Sequence, residues 1–365
     1  MKIGITGAAG LLGWHLRAFL QGQPDVQIAL AGRETFTSSE RLQEFVRGLD
    51  AVVHLAGMNR GEDQEIYETN LVLTKALISA CEATHARPHI VFSSSTHIAR
   101  DTSYGRSKRE CAELLRAWES RSEGRFTNFI LPNVFGEGGR PFYNSAVSTF
   151  CYQLANKEEP KIIQDAEIEL VHTQQVAAAM WKAIHTLQPA EIRLYGVKIQ
   201  VSEVLAKLRA LSELYAQQVT PDLRGPFDLD LFNTYRSYLY PQAYPIAVTV
   251  RTDTRGRLFE TMRSLNGGQS FVSSTKPGVT RGDHYHLHKY ERFFVLSGDA
   301  VIRIRRVFSD KVDEFVVSGD RPAYIDIPTL HAHNITNTKN SELLTFFWSH
   351  QLFDPNNADT IPEVV

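Results

Sequence analysis

The stretch "STHIARDTSYGRSK" combines three side chains that can move a proton to and from a carbonyl oxygen. Tyr104 and Lys108 stand four residues apart, and Ser95 opens the stretch at the end of an apolar run. Residues at i and i+4 share one helix face, so Lys108 can lower the pKa of the Tyr104 phenol and contact a nicotinamide ribose. Tyr104 would then exchange a proton with the substrate oxygen while hydride moves at the adjacent carbon, with Ser95 hydrogen-bonded to that oxygen.

A second stretch, "GDHYHLHKYERFFVLSG", holds residue types that bind metals. His284 and His286 are two apart, so their side chains would point to the same side of a β-strand. A four-residue turn lets Glu291 face them from the next strand, and "IPTLHAHNITN" adds His333 or, alternatively, His331. This set suits a divalent transition metal, zinc above all, with one coordination position left open.

Glycines recur at every third position in "ITGAAGLLG", after an apolar strand and at the start of a helical pattern. Gly7, Gly10 and Gly13 allow a tight turn and close approach of a pyrophosphate to the backbone. The helix that begins near Leu11 offers free N–H groups and a partial positive charge. This stretch therefore predicts a dinucleotide-binding turn.

The cofactor predicted from the next two strands is NADPH. Arg33 stands 20 residues after Gly13 at the end of "ALAGRE", where an acid would favour NAD and an arginine favours a 2′-phosphate. Glu34 follows one position after the site where an acidic residue would favour NAD. The "HLAG" segment after the third strand adds Leu55, Ala56 and Gly57 to the predicted cofactor site.

Apolar strands alternate with helical patterns up to about residue 215, which predicts βαβ units and a doubly wound parallel sheet of the Rossmann type. A segment with four prolines follows. Beyond it, short β-rich runs separated by Gly, Pro and Asp turns predict an antiparallel jelly roll. The predicted domains are residues 1–243 and 244–365.

The motifs "TGAAGLLG", "HLAG", "FSSS", "YGRSK" and "LPNVFGEGGRPFYNS" resemble the extended short-chain dehydrogenase/reductases, the branch that acts on nucleotide sugars. The resemblance implies that Asn133, Arg140 and Asn144 face the substrate. The histidine-rich segment resembles the metal-binding motifs of cupins, although Leu330 replaces the usual glycine of the second motif. His288 falls in the turn and is a bystander or an acid/base candidate.

A reductase fused to a cupin of the sugar-nucleotide epimerase class resembles enzymes of capsular polysaccharide synthesis. The resemblance implies a UDP-linked 2-acetamido-2,6-dideoxy-4-hexulose as substrate, epimerised at C3 by the cupin and then reduced at C4 with NADPH. One alternative is a 4-ketoreductase whose cupin only dimerises. Others are a non-catalytic sugar-nucleotide sensor and a dehydrogenase fused to an iron-dependent dioxygenase.

Composition limits the remaining classes. The net charge of -2 gives no reason to expect nucleic acid as a partner. Three cysteines without CxxC pairs suit a reducing cytoplasm, and the absence of an apolar run of 18 residues argues against insertion in a membrane. The expected state is a cytoplasmic homodimer.

Overall fold

The structure is a computed structural model that describes residues 1–186, 191–249, 251–253, 256–258, 261–351, 354 and 356–365. Its contacts divide the chain into two compact units. Unit 1 comprises Met1–Ser145 and Ala166–Gln200, and unit 2 comprises Ala146–Asp165 and Val201–Val365.

The first two hundred and forty residues alternate strands with helices. In chain order the elements are β1 (Lys2–Thr6), α1 (Leu11–Gln21), β2 (Gln27–Ala31), a 3₁₀ turn (Arg33–Thr37), α2 (Ser39–Val46), β3 (Ala51–His54), α3 (Asp63–Thr84), β4 (His89–Ser95), a 3₁₀ turn (Thr96–Ala99), α4 (Ser103–Ser122), β5 (Arg125–Leu131), β6 (Asn133–Phe135), α5 (Ala146–Ala155), β7 (Glu167–His172), α6 (Thr173–His185), β8 (Glu191–Arg193), β9 (Val197–Gln200), α7 (Val201–Ala216), β10 (Val219–Thr220) and α8 (Pro226–Leu239).

The described remainder of the chain is built of strands. They are β11 (Ile246–Ala247), β12 (Arg251–Asp253), β13 (Gly256–Leu258), β14 (Arg263–Ser264), β15 (Gln269–Thr275), β16 (Thr280–Tyr285), β17 (Glu291–Ser297), β18 (Asp299–Arg306), β19 (Val312–Ser318), β20 (Ala323–Ile327), β21 (His331–Asn337), β22 (Leu343–Ser349) and β23 (Ile361–Pro362).

Unit 1 contains a six-stranded parallel sheet in the order β2-β1-β3-β4-β5-β8. Strand β3 does not alternate apolar and polar residues, because both of its faces are buried. Val52 and Val53 are both fully buried, and they belong to different core clusters. Helices α1 and α6 cover one face, and α2, α3 and α4 cover the other. A sheet covered on both faces takes continuous apolar strands, which confirms the predicted doubly wound fold.

Unit 2 contains two five-stranded antiparallel sheets, β11-β20-β17-β22-β15 and β19-β18-β21-β16-β23. One core cluster draws on both: Phe293 and Ile325 come from the first sheet, and Ile302 and Ile335 from the second. Burial alternates along β18, as it does when one face of a sheet is packed. The antiparallel β-architecture predicted for the C-terminal part is confirmed.

Helices α5, α7 and α8 also belong to unit 2, together with the β-sheets. This unit contains a buried ion pair, in which Arg292 Nε donates to Asp326 Oδ1 at 2.7 Å. Tyr215 of α7 donates to the same carboxylate, and Arg236 of α8 donates to Ile327 O at 2.8 Å.

The division of the sequence into a domain of residues 1–243 and a domain of residues 244–365 stays a prediction. Among the described residues, no helix has the length and apolarity needed to cross a bilayer.

Candidate active site and metal centre

The glycine turn after β1 has the close packing that its sequence predicts. Gly7 has a left-handed φ of +67° and accepts the N–H of Gly10 at 3.0 Å. A Cβ on Gly13 would lie 2.4 Å from Gly7 O, so only glycine lets α1 approach the turn this closely. Gly10 is the N-cap of α1 and has no side chain to cap Leu11 and its neighbours. The first N–H groups of α1 can therefore bind a phosphate.

The segment after β3 lies directly against this turn. A Cβ on Gly7 would be 2.7 Å from Ala56 N, and the amides of Leu55 and Ala56 both donate to Thr6 Oγ1 at 3.1 Å. Gly57 follows at an exposed position. Thr6 was not predicted from sequence, because a threonine at a strand end has no distinctive spacing. The predicted glycine-turn and "HLAG" residues thus meet at one edge of the sheet.

At the end of β2, Arg33 is exposed in the first turn of a 3₁₀ helix. The Glu34 side chain folds back towards the strand, since a Cβ on Gly32 would lie 2.4 Å from Glu34 Oε1. An acid therefore does lie at the strand end, although the sequence places it one position late. Both groups that select between ribose and ribose phosphate are present there.

Ser95, Tyr104 and Lys108 come together beside the carboxyl end of β4. Ser95 ends β4, and its hydroxyl is hydrogen-bonded to the phenol of Tyr104 on α4. Lys108 lies one turn later on α4, where Nζ donates to Ser93 O at 2.7 Å and lies 5.7 Å from the centroid of the Tyr104 ring. This arrangement can present a phenolic proton to a substrate oxygen.

The charges in this group differ from the sequence expectation. Burial raises the pKa of Tyr104 to about 12, and the hydrogen bond from Ser95 opposes that rise only in part. Burial lowers the pKa of Lys108 to about 8. Lys108 is not among the causes of this shift, so the effect of its ammonium on the pKa of the phenol stays a prediction. A phenol that keeps its proton at neutral pH is suited to act as a general acid.

Asn70 of α3 links the "HLAG" segment to α4. Its Oδ1 accepts from Met58 N at 2.6 Å, and its Nδ2 donates to Met58 O at 2.9 Å and to Ser107 Oγ at 3.0 Å. Ser107 in turn donates to Tyr104 O. Asn70 is buried and fixes two segments that carry predicted site residues. Asn70 is 12 residues from Met58 and 37 residues from Ser107, so no local sequence pattern predicts this role.

Unit 2 brings four of the predicted metal-binding side chains together. Ligand atoms of His284, His286, Glu291 and His333 all lie within 4.8 Å of one another. His284 pairs with His333 across β16 and β21, and Glu291 is the first residue of β17. The Nε2 atom of His286 is 3.0 Å from Glu291 Oε2, and Nε2 of His333 is 3.7 Å from it.

The hydrogen bonds around the cluster leave a ring nitrogen of each imidazole directed to the centre. Nδ1 of His286 donates to Asp359 O, Nδ1 of His333 donates to His331 O, and His284 is hydrogen-bonded to the backbone of Gly282. Nε2 of His333 is buried without a hydrogen-bond partner. Backbone carbonyls orient metal-bound histidines in this way. The donor set therefore fits a divalent transition metal such as zinc.

Electrostatics keeps two of these side chains, His284 and Glu291, in the forms that bind metals. Burial, helped by the neighbouring imidazoles, lowers the pKa of His284 to about 4. Burial alone would raise the pKa of Glu291, but the His286 and His333 side chains hold it well below its usual value. A neutral His284 imidazole and an ionised Glu291 carboxylate therefore coexist at neutral pH.

Asp359 supports the turn between the first ligands, and sequence analysis did not identify it. Its carboxylate accepts the backbone N–H groups of Leu287, His288 and Lys289 at 2.7–2.9 Å. Its carbonyl accepts from His286 Nδ1. A single aspartate some seventy residues downstream carries no motif, so only the fold shows that it positions a ligand.

The remaining sequence candidates lie outside the four-residue cluster. His331 donates through Nδ1 to Thr329 O and stacks edge-on against Tyr240, and His288 lies in the turn. Leu330, which replaces a glycine, is fully buried with a left-handed φ of +60°. The turn therefore keeps the glycine-like conformation, and His333 is the histidine directed to the cluster.

The three residues expected to face the substrate are exposed in unit 1. Asn133 opens β6 and donates to Glu169 O at 3.3 Å. Arg140 and Asn144 lie on the segment that follows β6. Their role remains a prediction.

The family assignment follows from two family models that match separate parts of the chain. Residues 3–193 match the NAD dependent epimerase/dehydratase family, and residues 251–361 match the Polysaccharide biosynthesis C-terminal domain. The first match spans more than half of the chain. The chain belongs to the NAD-dependent epimerase/dehydratase family.

Two relatives match this chain over almost its full length. UDP-2-acetamido-2,6-beta-L-arabino-hexul-4-ose reductase of Pseudomonas aeruginosa is 31% identical over 365 residues, which cover 99% of this chain and 98% of the relative. The crystal structure of the capsular polysaccharide assembling protein CapF from Staphylococcus aureus is 31% identical, covers 100% of both chains and has a TM-score of 0.64. The chain resembles CapF over its full length, which confirms the two-part resemblance predicted from sequence.

A more distant structure supports the fold of the first part alone. RMD from Pseudomonas aeruginosa complexed with NADPH is 19% identical, covers 58% of this chain and 84% of that chain, and has a TM-score of 0.52.

Proposed function

We propose that the chain is a bifunctional nucleotide-sugar enzyme of capsule or O-antigen polysaccharide biosynthesis. Its cupin part epimerises C3 of a UDP-2-acetamido-2,6-dideoxy-4-hexulose. Its reductase part then reduces C4 with NADPH, giving UDP-2-acetamido-2,6-dideoxy-L-talose on the route to UDP-N-acetyl-L-fucosamine. The enzyme works as a cytoplasmic homodimer.

One observation carries this proposal: a single chain holds both the Ser95–Tyr104–Lys108 group and a cluster of three imidazoles and a carboxylate. The printed name of the Pseudomonas aeruginosa relative, a reductase of a UDP-linked hexul-4-ose, supports the C4 step. The full-length likeness to a capsular polysaccharide assembling protein supports the pathway.

The two steps have a chemical order. The hydrogen at C3 is acidic only while C4 is a ketone, because its removal then gives an enolate. A metal bound by His284, His286, Glu291 and His333 would stabilise negative charge on that enolate oxygen. Reprotonation on the other face inverts C3. Once C4 is an alcohol the C3 hydrogen is no longer acidic, so epimerisation must come first.

In the reduction step the chain supplies the proton and the cofactor supplies the hydride. When bound, NADPH would supply the hydride to C4, and Tyr104 would donate its phenolic proton to the C4 oxygen as the C4–O double bond opens. Ser95 is hydrogen-bonded to the phenol and would bind the same oxygen of the substrate. Lys108 brings a positive charge next to the phenolate that the transfer leaves.

The most direct test of the proposed function is product analysis. The purified full-length protein is incubated with NADPH and UDP-linked 4-ketosugars, and the products are identified by NMR. We expect oxidation of NADPH with formation of an L-talose-configured UDP sugar. Turnover only to a sugar with unchanged C3 would show a 4-ketoreductase whose cupin is not catalytic.

We expect Arg33→Ala to weaken NADPH binding by about 10- to 100-fold and NADH binding by less than about twofold. A guanidinium makes charge-assisted hydrogen bonds to a 2′-phosphate that NADH lacks, and such bonds contribute on the order of 1.5–3 kcal/mol. Fluorescence titration with each cofactor gives the two affinities. Glu34→Gln is the matched variant, since removal of the neighbouring acid should not weaken NADPH. An equal loss for both cofactors after Arg33→Ala would contradict the assignment.

The pH dependence of reduction should report Lys108. Burial lowers the pKa of Lys108 to about 8, whereas Tyr104 keeps its proton up to about 12. Below pH 8 the lysine is charged and supports proton transfer, so kcat/KM for NADPH should be flat there and fall as pH rises through about 8. The Lys108→Met variant should have a lower kcat/KM at all pH values, and its kcat/KM should not fall as pH rises through about 8. A limb near pH 8 that persists in Lys108→Met would assign it to another group.

A further inference from the structure

Residues 358–365, called the strap below, lie against the strand and turn that carry two of the metal-binding side chains. Strand β23 of the strap is the edge strand of the second sheet of unit 2 and lies next to β16. Pro362 pairs with His284, and Ile361 pairs with Tyr285. The strap therefore covers the strand that presents His284.

The strap also holds the backbone immediately before His284. The register of β16 shifts between Gly282 and His284, and Asp283 in this bulge has a left-handed φ of +57°. Glu363 N donates to Asp283 O at 2.9 Å, and Val365 N donates to Asp283 Oδ1 at 3.4 Å. A β-bulge changes the direction of the side chains beside it. The strap therefore helps to set the direction in which His284 points.

The second histidine of this pair, His286, is held by the beginning of the strap. Asp359 O accepts from His286 Nδ1 at 2.5 Å, and the Asp359 carboxylate accepts the backbone N–H groups of the turn at 287–289. Lys289 of this turn donates through Nζ to Ala358 O at 2.7 Å. One short segment thus contacts the surroundings of both histidines.

A side chain whose described hydrogen bonds reach no metal-binding residue fastens the other end of the strap. Arg305 of β18 donates through Nη2 to Glu363 Oε1 at 2.7 Å and to Val364 O at 2.5 Å. Ile304 pairs with His333 and belongs to the core, so the next residue, Arg305, faces the opposite side of the sheet. The Arg305 and Glu363 side chains are only 14% and 21% exposed, so solvent screens this ion pair less than a pair on the open surface.

The strap buries little apolar surface of its own. Among its eight residues, all of which the structure describes, Ile361 alone is buried. Its docking therefore depends mainly on hydrogen bonds, and edge segments of this kind open locally more readily than a packed core. A metal that requires the docked directions of His284 and His286 must therefore favour docking of the strap.

We propose that the strap positions the metal centre, and that its docking through Arg305 and the binding of the divalent metal strengthen each other. The metal fixes His284 and His286, which favours the docked strap. The docked strap directs both imidazoles, which favours the metal. Thermodynamic linkage makes these two effects equal in size. The inference rests on the metal centre and does not depend on which reaction the enzyme catalyses.

The first test measures the zinc affinity of the full-length protein by competition with a chromophoric chelator, without sugar or NADPH. Arg305→Met should weaken zinc binding by about 3- to 30-fold, which is less than the roughly 10- to 100-fold effect of losing a group that contacts a metal-bound side chain directly. Glu363→Gln removes the charge of the partner and should act in the same direction. Arg305→Lys keeps a cation and should restore most of the affinity.

The matched control is Arg303→Met. Arg303 lies two residues earlier on β18, and it pairs with Glu314 of β19 instead of with the strap. This variant loses an arginine and an ion pair from the same strand, so it should bind zinc with the wild-type affinity.

Hydrogen exchange provides the reciprocal measurement. The amides of Glu363 and Val365 donate to Asp283, so their exchange reports docking of the strap. Zinc should slow their exchange in the wild-type protein by at least the factor by which Arg305→Met weakens zinc binding. The amides of β19, at the opposite edge of the same sheet, should exchange at the same rate with and without zinc.

Arg305→Met with wild-type zinc affinity but faster exchange in the strap would overturn the proposal, because the strap would then detach without any effect on the metal. An equal loss of zinc affinity in Arg303→Met would overturn it too. Wild-type protein that binds no zinc would remove the metal centre and the proposal together, whereas failure to turn over UDP-4-ketosugars would contradict only the proposed function. Melting curves of the zinc-free variants report folding, and Glu363→Gln tests the same contact if Arg305→Met does not fold.

Discussion

Tyr104→Phe should lower the rate of C4 reduction by about 100- to 10,000-fold, which is the usual effect of losing a positioned general acid. The phenol is hydrogen-bonded to Ser95, and its pKa of about 12 keeps the proton in place at neutral pH. Phenylalanine retains the ring and its packing against His97. NADPH affinity should therefore stay close to the wild-type value. Single-turnover oxidation of bound NADPH, followed by its absorbance, measures the chemical step.

The matched control is Tyr195→Phe, which removes the same hydroxyl from a tyrosine of unit 1 that is 77% exposed. It should reduce the 4-ketosugar at the wild-type rate. A Tyr104→Phe enzyme that keeps more than about a tenth of the wild-type rate would exclude Tyr104 as the general acid.

The second large effect is expected in the cupin part. Replacing His284 and His286 with Ala together removes two of four ligands, so the protein should purify without the divalent metal and lose exchange of the C3 hydrogen with solvent. Elemental analysis of the purified protein reports the metal, and NMR of the 4-ketosugar in deuterated solvent reports exchange. Circular dichroism and melting curves separate loss of the ligands from loss of the fold.

His288→Ala is the control for metal content. His288 lies in the same turn as the ligands but outside the cluster, so this variant should retain the metal. His331→Ala should retain it too, because His331 is directed to Thr329 and Tyr240. Metal lost from His331→Ala but kept in His333→Ala would reverse the assignment of the fourth ligand.

Motifs with short spacing could be predicted from sequence because local geometry fixes them. The glycines of the turn after β1 are required by a left-handed φ at Gly7 and by close packing at Gly13. Tyr104 and Lys108 share a helix face, and a β-strand brings His284 next to the turn that leads to Glu291. In these cases three to seven residues of backbone are enough to set the arrangement.

Contacts between distant segments could not be predicted in this way. Asp359 holds the turn at 287–289, and Asn70 links Met58 to Ser107, but nothing in either local sequence marks these roles. The ionisation of Tyr104 also depends on burial, which raises the pKa of the phenol and which the spacing of Tyr104 and Lys108 does not reveal. Leu330 shows the opposite case, where tertiary packing imposes a left-handed conformation that its residue type disfavours.

The measurement that tests the two-step account most directly is deuterium incorporation at C3 by full-length Tyr104→Phe in deuterated solvent, without NADPH. The account predicts that the variant, which keeps all four metal-binding side chains, labels C3 of the UDP-4-ketosugar at close to the wild-type rate while leaving C4 unreduced. The His284→Ala, His286→Ala protein should label nothing. A folded, metal-loaded Tyr104→Phe protein that binds the ketosugar and leaves C3 unlabelled would contradict epimerisation by the cupin.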